Sequence, residues 1–130
     1  MYWIDSKNGR VVTKEIDGRK ERFVDYSANT RKIVDSYRDK TLVAIHSHPS
    51  SMPPSVSDFN SCFQNQYKRG YIACHNGKVF AYTANEEISE KLYCMYIEKF
   101  IKNGLSEYEV QISAIYKLMN NYQINFWEVK

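Results

Sequence analysis

Long apolar runs are absent from this 130-residue sequence, and none approaches the roughly 20 residues of a membrane-spanning helix. Internal repeats, linkers and low-complexity segments are also absent. Hydrophobic residues make up 43% of the chain and aromatic residues 15%, which excludes a disordered protein. We therefore expect one globular domain with a single core over residues 1–130, and no membrane partner.

Charge of one sign is not concentrated anywhere in the chain. Eighteen Lys and Arg residues against fifteen Asp and Glu residues give a formal net charge of +3, and the basic residues are scattered. Because nucleic-acid surfaces usually gather their basic residues in one patch or stripe, nucleic acid is not expected as a partner.

Cysteine is scarce, with Cys62, Cys74 and Cys94 only. Their number is odd, their spacing fits no metal-binding pattern, and each has apolar neighbours. We predict three buried free thiols. Free thiols are typical of a reducing compartment, so a cytoplasmic location is expected.

Proline is equally scarce, and all three prolines fall between positions 49 and 54. The run before them, residues 41–45, is apolar and rich in strand formers, which predicts a buried central strand. Residues two apart on a strand point the same way, so His46 and His48 share one face at its carboxyl end. Pro49 then ends the strand, because it cannot donate to the ladder.

After the proline-rich loop, Ser55-Val56-Ser57-Asp58 is predicted to open a helix with an apolar stripe of Phe59, Cys62 and Phe63. Two imidazoles and the Asp58 carboxylate therefore converge on one point. Three nitrogen and oxygen ligands with a fourth position open to water are the composition of a catalytic zinc site.

Simpler interpretations exist for each half of this pattern. His46 and His48 could be two polar residues that face solvent. Ser55 and Asp58 could form only a helix cap, although a cap residue can also border a site. The conjunction of buried strand, His-x-His-Pro, proline-rich loop and Ser-x-x-Asp favours the metal site.

With these residues, the stretch from Ile45 to Phe59 resembles the JAMM zinc metallopeptidases, also called the MPN-plus or JAB-domain family. Their signature is an upstream glutamate, then His-x-His-Pro, then Ser-x-x-Asp. The resemblance implies that His46, His48 and Asp58 bind Zn²⁺ and that Ser55 helps to hold an oxyanion. It implies zinc-dependent hydrolysis of a peptide or isopeptide bond in a peptide or protein substrate, by a metal-activated water. Here the gap from the second histidine to the aspartate is one residue shorter than usual.

The upstream glutamate of the JAMM signature, which would act as the general base, has no obvious counterpart in this sequence. We expect it at or before Met1, with these 130 residues a fragment of a longer bacterial or phage-type protein, and Glu15 and Glu21 are the alternatives within the chain. The short stretch after Asp58 leaves no room for the usual inserted loop, which argues against ubiquitin as the substrate.

The predicted fold is α/β, a mixed sheet flanked by helices in a JAB/MPN-like sandwich, with two additional C-terminal helices. Hairpins are expected around Asn8-Gly9 and Asn76-Gly77. His75 lies beside the second turn, where we expect it to face solvent; the alternative is that it approaches the metal. Helices are predicted at 27–39, 88–103 and from 106 onward, and a last strand at 124–129. Arg19 to Tyr26 is predicted as a loop or a short strand.

Two other functions are compatible with the sequence. The first is a non-catalytic JAB-fold module that acts in binding or assembly, against which the retained ligands argue. The second is a metal-dependent protein associated with nucleic acid, which the mildly positive charge allows.

Overall fold

The structure is a computed structural model that describes residues 1–15, 27–48 and 51–130. These described residues form one mixed six-stranded sheet and four helices, which confirms the α/β class. The elements, in chain order, are β1 (Tyr2–Asp5), β2 (Val11–Lys14), α1 (Ala28–Asp35), β3 (Leu42–His48), α2 (Val56–Gln64), β4 (Arg69–Cys74), β5 (Val79–Ala84), α3 (Glu90–Lys102), α4 (Glu107–Met119) and β6 (Ile124–Val129). The segment predicted as a loop or short strand, Arg19 to Tyr26, lies outside the described residues.

The strand order is β2-β1-β3-β4-β5-β6, which places β3 near the middle of the sheet. Among the described strands, only β3 and β4 run parallel; the other neighbouring pairs are antiparallel. A parallel pair needs a crossover connection, and α2 provides it. The strand that carries the two histidines and the helix that carries Asp58 are therefore consecutive parts of one crossover.

The core lies on the face of the sheet to which Leu42 and Ala44 point, and we call it the inner face. Side chains of all six strands alternate between this face and the opposite, outer face. The largest core side chains from the inner face, each at most 2% exposed, are Trp3, Leu42, Ile72, Phe80 and Tyr82.

Helices α1, α2 and α4 pack on the inner face. Thr30 of α1 lies 3.2 Å from Thr13 between their hydroxyl oxygens, and Tyr116 of α4 lies 5.4 Å from Phe126 between ring centroids. Helix α3 packs along α4 and has no buried residue. In the described part of the chain, no helix is both long enough and apolar enough to cross a membrane.

The cysteine prediction is right for two residues and wrong for the third. Cys62 and Cys74 are buried, and burial raises the pKa of the Cys62 thiol to about 11. Cys94 is exposed, because α3 packs on α4 with one face only and Cys94 is not on that face.

Gly70 permits the packing that holds α2 on the sheet. A Cβ at position 70 would overlap the Tyr82 ring, which lies directly over the glycine. Tyr82 in turn makes an edge-to-face contact with Phe59 of α2, with ring centroids 5.6 Å apart. Because Gly70 has no side chain, Tyr82 can lie over β4, and this sets how closely α2 approaches the sheet.

We expect Gly70→Ala to lower the free energy of unfolding by roughly 1–3 kcal/mol, because the buried Tyr82 ring must leave its position. Urea denaturation measures this loss. In a Tyr82→Leu background the same substitution should cost clearly less. An equal cost in both backgrounds would show that the ring is not the cause.

Candidate metal centre

The end of β3 directs both histidines to the inner face. His46 pairs with Ile72 and His48 with Cys74 on the neighbouring strand β4. Their side chains are 15% and 19% exposed, so the site is at the rim of the core and not in open solvent. The prediction that both side chains share one face is confirmed, and the solvent-facing interpretation is wrong.

The start of α2 brings Asp58 to the same place. Ser55 is the N-cap: its hydroxyl accepts a hydrogen bond from the Asp58 backbone N–H at 3.1 Å. The Asp58 carboxylate accepts one in return from the Ser55 backbone N–H at 2.8 Å. This reciprocal capping box fixes the carboxylate on the first turn. Buried Val56, Phe59 and Cys62 anchor the same helix to the core.

The ligand atoms of His46, His48 and Asp58 lie close enough together to hold one metal ion. The two imidazole Nε2 atoms are 3.2 Å apart. The Asp58 oxygens lie 3.1 Å from Nε2 of His46 and 3.4 Å from Nε2 of His48. In the described part of the chain this is the one group of three or more such side chains that could bind a metal.

The second nitrogen of His48 has a partner that suits metal binding. Nδ1 lies 3.2 Å from the backbone carbonyl of Met52. Since a carbonyl only accepts, Nδ1 donates to it. On the neutral ring Nε2 then has the lone pair that a metal would use, whereas on the protonated ring Nε2 donates to Asp58. Nδ1 of His46 is buried and has no hydrogen-bond partner among the residues that the structure describes.

Electrostatics keep Asp58 ionised. Burial alone would raise the pKa of its carboxyl, but hydrogen bonds from His46, His48 and the Ser55 N–H outweigh burial and hold that pKa well below its usual range. For His48, burial lowers the pKa, whereas the hydrogen bond and charge of Asp58 raise it, and the net change is upward. The site is therefore anionic at its carboxylate and attracts a cation.

Compared with known proteins, the chain matches no family model, no curated sequence and no solved structure. The case that these three side chains could bind a metal therefore rests on the sequence pattern and on their geometry.

The other predicted candidates lie elsewhere. Oε1 of Glu15 accepts hydrogen bonds from the Thr30 hydroxyl at 2.6 Å and the Ser27 N–H at 3.0 Å, which lower the pKa of its carboxyl. His75 is exposed in its turn, as predicted. Glu21 lies outside the described residues.

One backbone group beside the candidate metal centre could not be predicted from the sequence. The Met52 carbonyl accepts from His48 and is also approached by the Cys74 thiol at 3.8 Å. It is a backbone group in an irregular loop, so its role follows only from the path of the chain.

Removal of the Ser55 cap should destabilise the metal-free protein. We expect Ser55→Ala to cost about 1 kcal/mol, because the Asp58 N–H loses its acceptor. Ser55→Asn is the matched control, since asparagine caps as well as serine. Denaturant unfolding in the presence of a chelator excludes any contribution from metal. Equal stability of the alanine variant and the wild type would contradict the cap.

Proposed function

We propose that this chain carries a JAMM-type zinc site on a JAB/MPN-like fold and hydrolyses peptide or isopeptide bonds. The observation that carries the proposal is the convergence of the three side chains. The two imidazole Nε2 atoms lie 3.2 Å apart, and Asp58 approaches His46 through Oδ1 at 3.1 Å and His48 through Oδ2 at 3.4 Å. A tetrahedral zinc ion with bonds of about 2.0–2.1 Å keeps its ligand atoms about 3.3–3.4 Å apart. The two Nε2 atoms, 3.2 Å apart, thus already approach one edge of such a tetrahedron, and the Asp58 carboxylate lies beside that edge.

The contact between the two histidines supports a metal site over a simple ion pair. A histidine–aspartate hydrogen bond explains each Asp58 contact by itself. It does not explain why two imidazole nitrogens are directed at each other and at one carboxylate. A shared cation would account for all three separations together, and it leaves a fourth position open to water and substrate.

The residues of the chain have separate tasks in this proposal. His46, His48 and Asp58 would hold the ion, and the Met52 carbonyl would keep His48 in the ligating tautomer. Bound zinc supplies Lewis acidity, which lowers the pKa of water and polarises a carbonyl group.

Ser55 would stabilise the oxyanion of the attacked carbonyl. Its oxygen accepts from the Asp58 N–H, so the hydroxyl proton is not used by that hydrogen bond. A half-buried hydroxyl beside the ligand Asp58 can direct this proton toward the substrate. One such donor is typically worth a few kcal/mol of barrier.

The general base must come from a residue other than the three ligands. Glu15 is poorly placed for this task, because its carboxylate oxygen is engaged by Thr30 and Ser27.

Zinc content tests the metal assignment. Protein purified without chelator should contain about one zinc per chain by elemental analysis, and His46→Ala and Asp58→Ala should lose it. His75→Ala is the matched control and should retain it, since His75 lies in an exposed turn. Retention of zinc by the Asp58 variant would refute this ligand set.

Turnover tests the chemistry separately from the metal. With a quenched-fluorescence peptide and isopeptide library as the probe, Ser55→Ala should keep zinc but lose most of the cleavage rate, while Ser55→Thr keeps both. Glu15→Gln should leave the rate within a few-fold of wild type, whereas loss of a true base costs about a hundredfold or more. A zinc-loaded chain that cleaves nothing in the library would favour the non-catalytic assembly module.

A further inference from the structure

The outer face of the sheet carries a straight row of side chains that no metal chemistry uses. Strand register places Lys14 opposite Tyr2, Tyr2 opposite Ile45 and Ile45 opposite Tyr71. It continues from Tyr71 to Ala81 and from Ala81 to Trp127. Directly paired residues point to the same side of a sheet, so these six form one line across all six strands. We call it the aromatic row.

The aromatic rings in this row are separated by small or aliphatic residues. Tyr2 and Tyr71 are two strands apart, as are Tyr71 and Trp127, and two strand spacings are about 9.6 Å. The whole distance from Tyr2 to Trp127 is about 19 Å, more than five times the 3.4 Å rise per nucleotide of a stacked strand. Several nucleotides could therefore lie along the row.

Arg69 adds a cation to one end of the row. Its guanidinium carbon lies 5.4 Å from the centroid of the Trp127 ring, and its Nη1 donates to the Tyr71 hydroxyl at 3.1 Å. Its Nε is buried and has no hydrogen-bond partner among the described residues. A guanidinium stacked on an indole and held by a phenol is oriented for an anionic group or a base plane.

No described helix covers this face, because α1, α2 and α4 pack on the opposite side and α3 packs on α4. Tyr2 is 40% exposed and Trp127 37%. The described strand residues that point outward include two cations, Lys14 and Arg69, and no carboxylate. Ile45, Arg69 and Tyr71 are half-buried and Ala81 is buried, so Tyr2 and Trp127 are the accessible rings of this aromatic, positively charged face.

We propose that the outer face binds single-stranded nucleic acid, with bases stacked on Tyr2, Tyr71 and Trp127 and phosphates drawn to Arg69 and Lys14. Every base offers a π-face to an aromatic ring, and such stacking tolerates any sequence. The bases of a duplex are already stacked on one another and cannot reach these rings. The surface is separate from the metal centre, which lies on the inner face, and does not depend on its chemistry.

A second copy of the chain fits this face less well. In a twofold dimer the face would meet itself, which would set two surfaces that carry Lys14 and Arg69, and no outward-facing carboxylate from the described strands, against each other. An anionic partner removes this repulsion. The scattered basic residues of the sequence argued against nucleic acid, but pairing of the strands places two of them beside three aromatic rings.

Fluorescence offers a direct test, because the two tryptophans differ. Trp3 is fully buried and donates to the Tyr67 hydroxyl, whereas Trp127 is exposed. Addition of a twelve-nucleotide oligo-dT or oligo-U to the wild-type chain at low salt should quench the Trp127 emission. In Trp127→Phe the quenching should vanish, while anisotropy of a labelled oligonucleotide still reports binding, since phenylalanine keeps the stacking ring.

Two further variants measure the contacts. Trp127→Ala should weaken binding about 5- to 150-fold, the range expected for one stacked base. Arg69→Gln should weaken it and reduce the slope of log affinity against log salt by about one. Tyr116→Ala is the matched control, an exposed aromatic on α4, and should bind as wild type does. Circular dichroism checks that each variant is folded.

Several outcomes would overturn the proposal. The proposal is wrong if neither oligonucleotide binds at low salt, or if Trp127→Ala binds as tightly as the wild type. It is also wrong if duplex DNA binds as tightly as the single strand. Competition by polyglutamate as effective as that of the oligonucleotide would show a merely charged surface. A dimer in sedimentation that Trp127→Ala dissociates would assign the face to a second copy.

Discussion

The contact between α2 and the sheet is the constraint on which the metal centre depends. Phe59 packs edge-to-face on Tyr82, and Tyr82 can take that place because residue 70 has no side chain. Phe59 directly follows Asp58, so the packing that seats the helix also sets the position of the carboxylate. A shift of a few tenths of an ångström in this contact would be felt at the ligand, because close-packed interiors transmit such displacements.

The capping box at the start of α2 also fixes the position of the Asp58 carboxylate. It uses the Asp58 carboxylate and backbone N–H together, which removes rotational freedom from the side chain before any ion binds. Because the carboxyl also remains ionised, the site is both oriented and charged in advance. Such preorganisation is what a binding site needs when its ligand must be held within a few tenths of an ångström.

The two faces of the sheet carry different kinds of side chain. The inner face buries the core and ends in the three side chains that could bind a metal. The outer face presents Tyr2, Tyr71 and Trp127 with Arg69 and Lys14. This division follows from the period of two along each strand, which sends His46 and His48 inward and Ile45 and Ser47 outward. A single strand thereby contributes to both surfaces.

The sequence by itself determined the α/β class, the order of the elements and the three side chains that could bind a metal. These features are local: a strand end, a proline-rich loop and a helix start lie within thirteen residues, so chain connectivity alone brings them close. Only the tertiary structure decided that the Met52 carbonyl orients His48, that Glu15 is held by Thr30, that Cys94 is exposed and that the aromatic row exists. Each of these depends on which strands pair, in which register, and on which face a helix packs. Such choices are made by the summed burial of distant segments, and no short stretch of sequence carries that information.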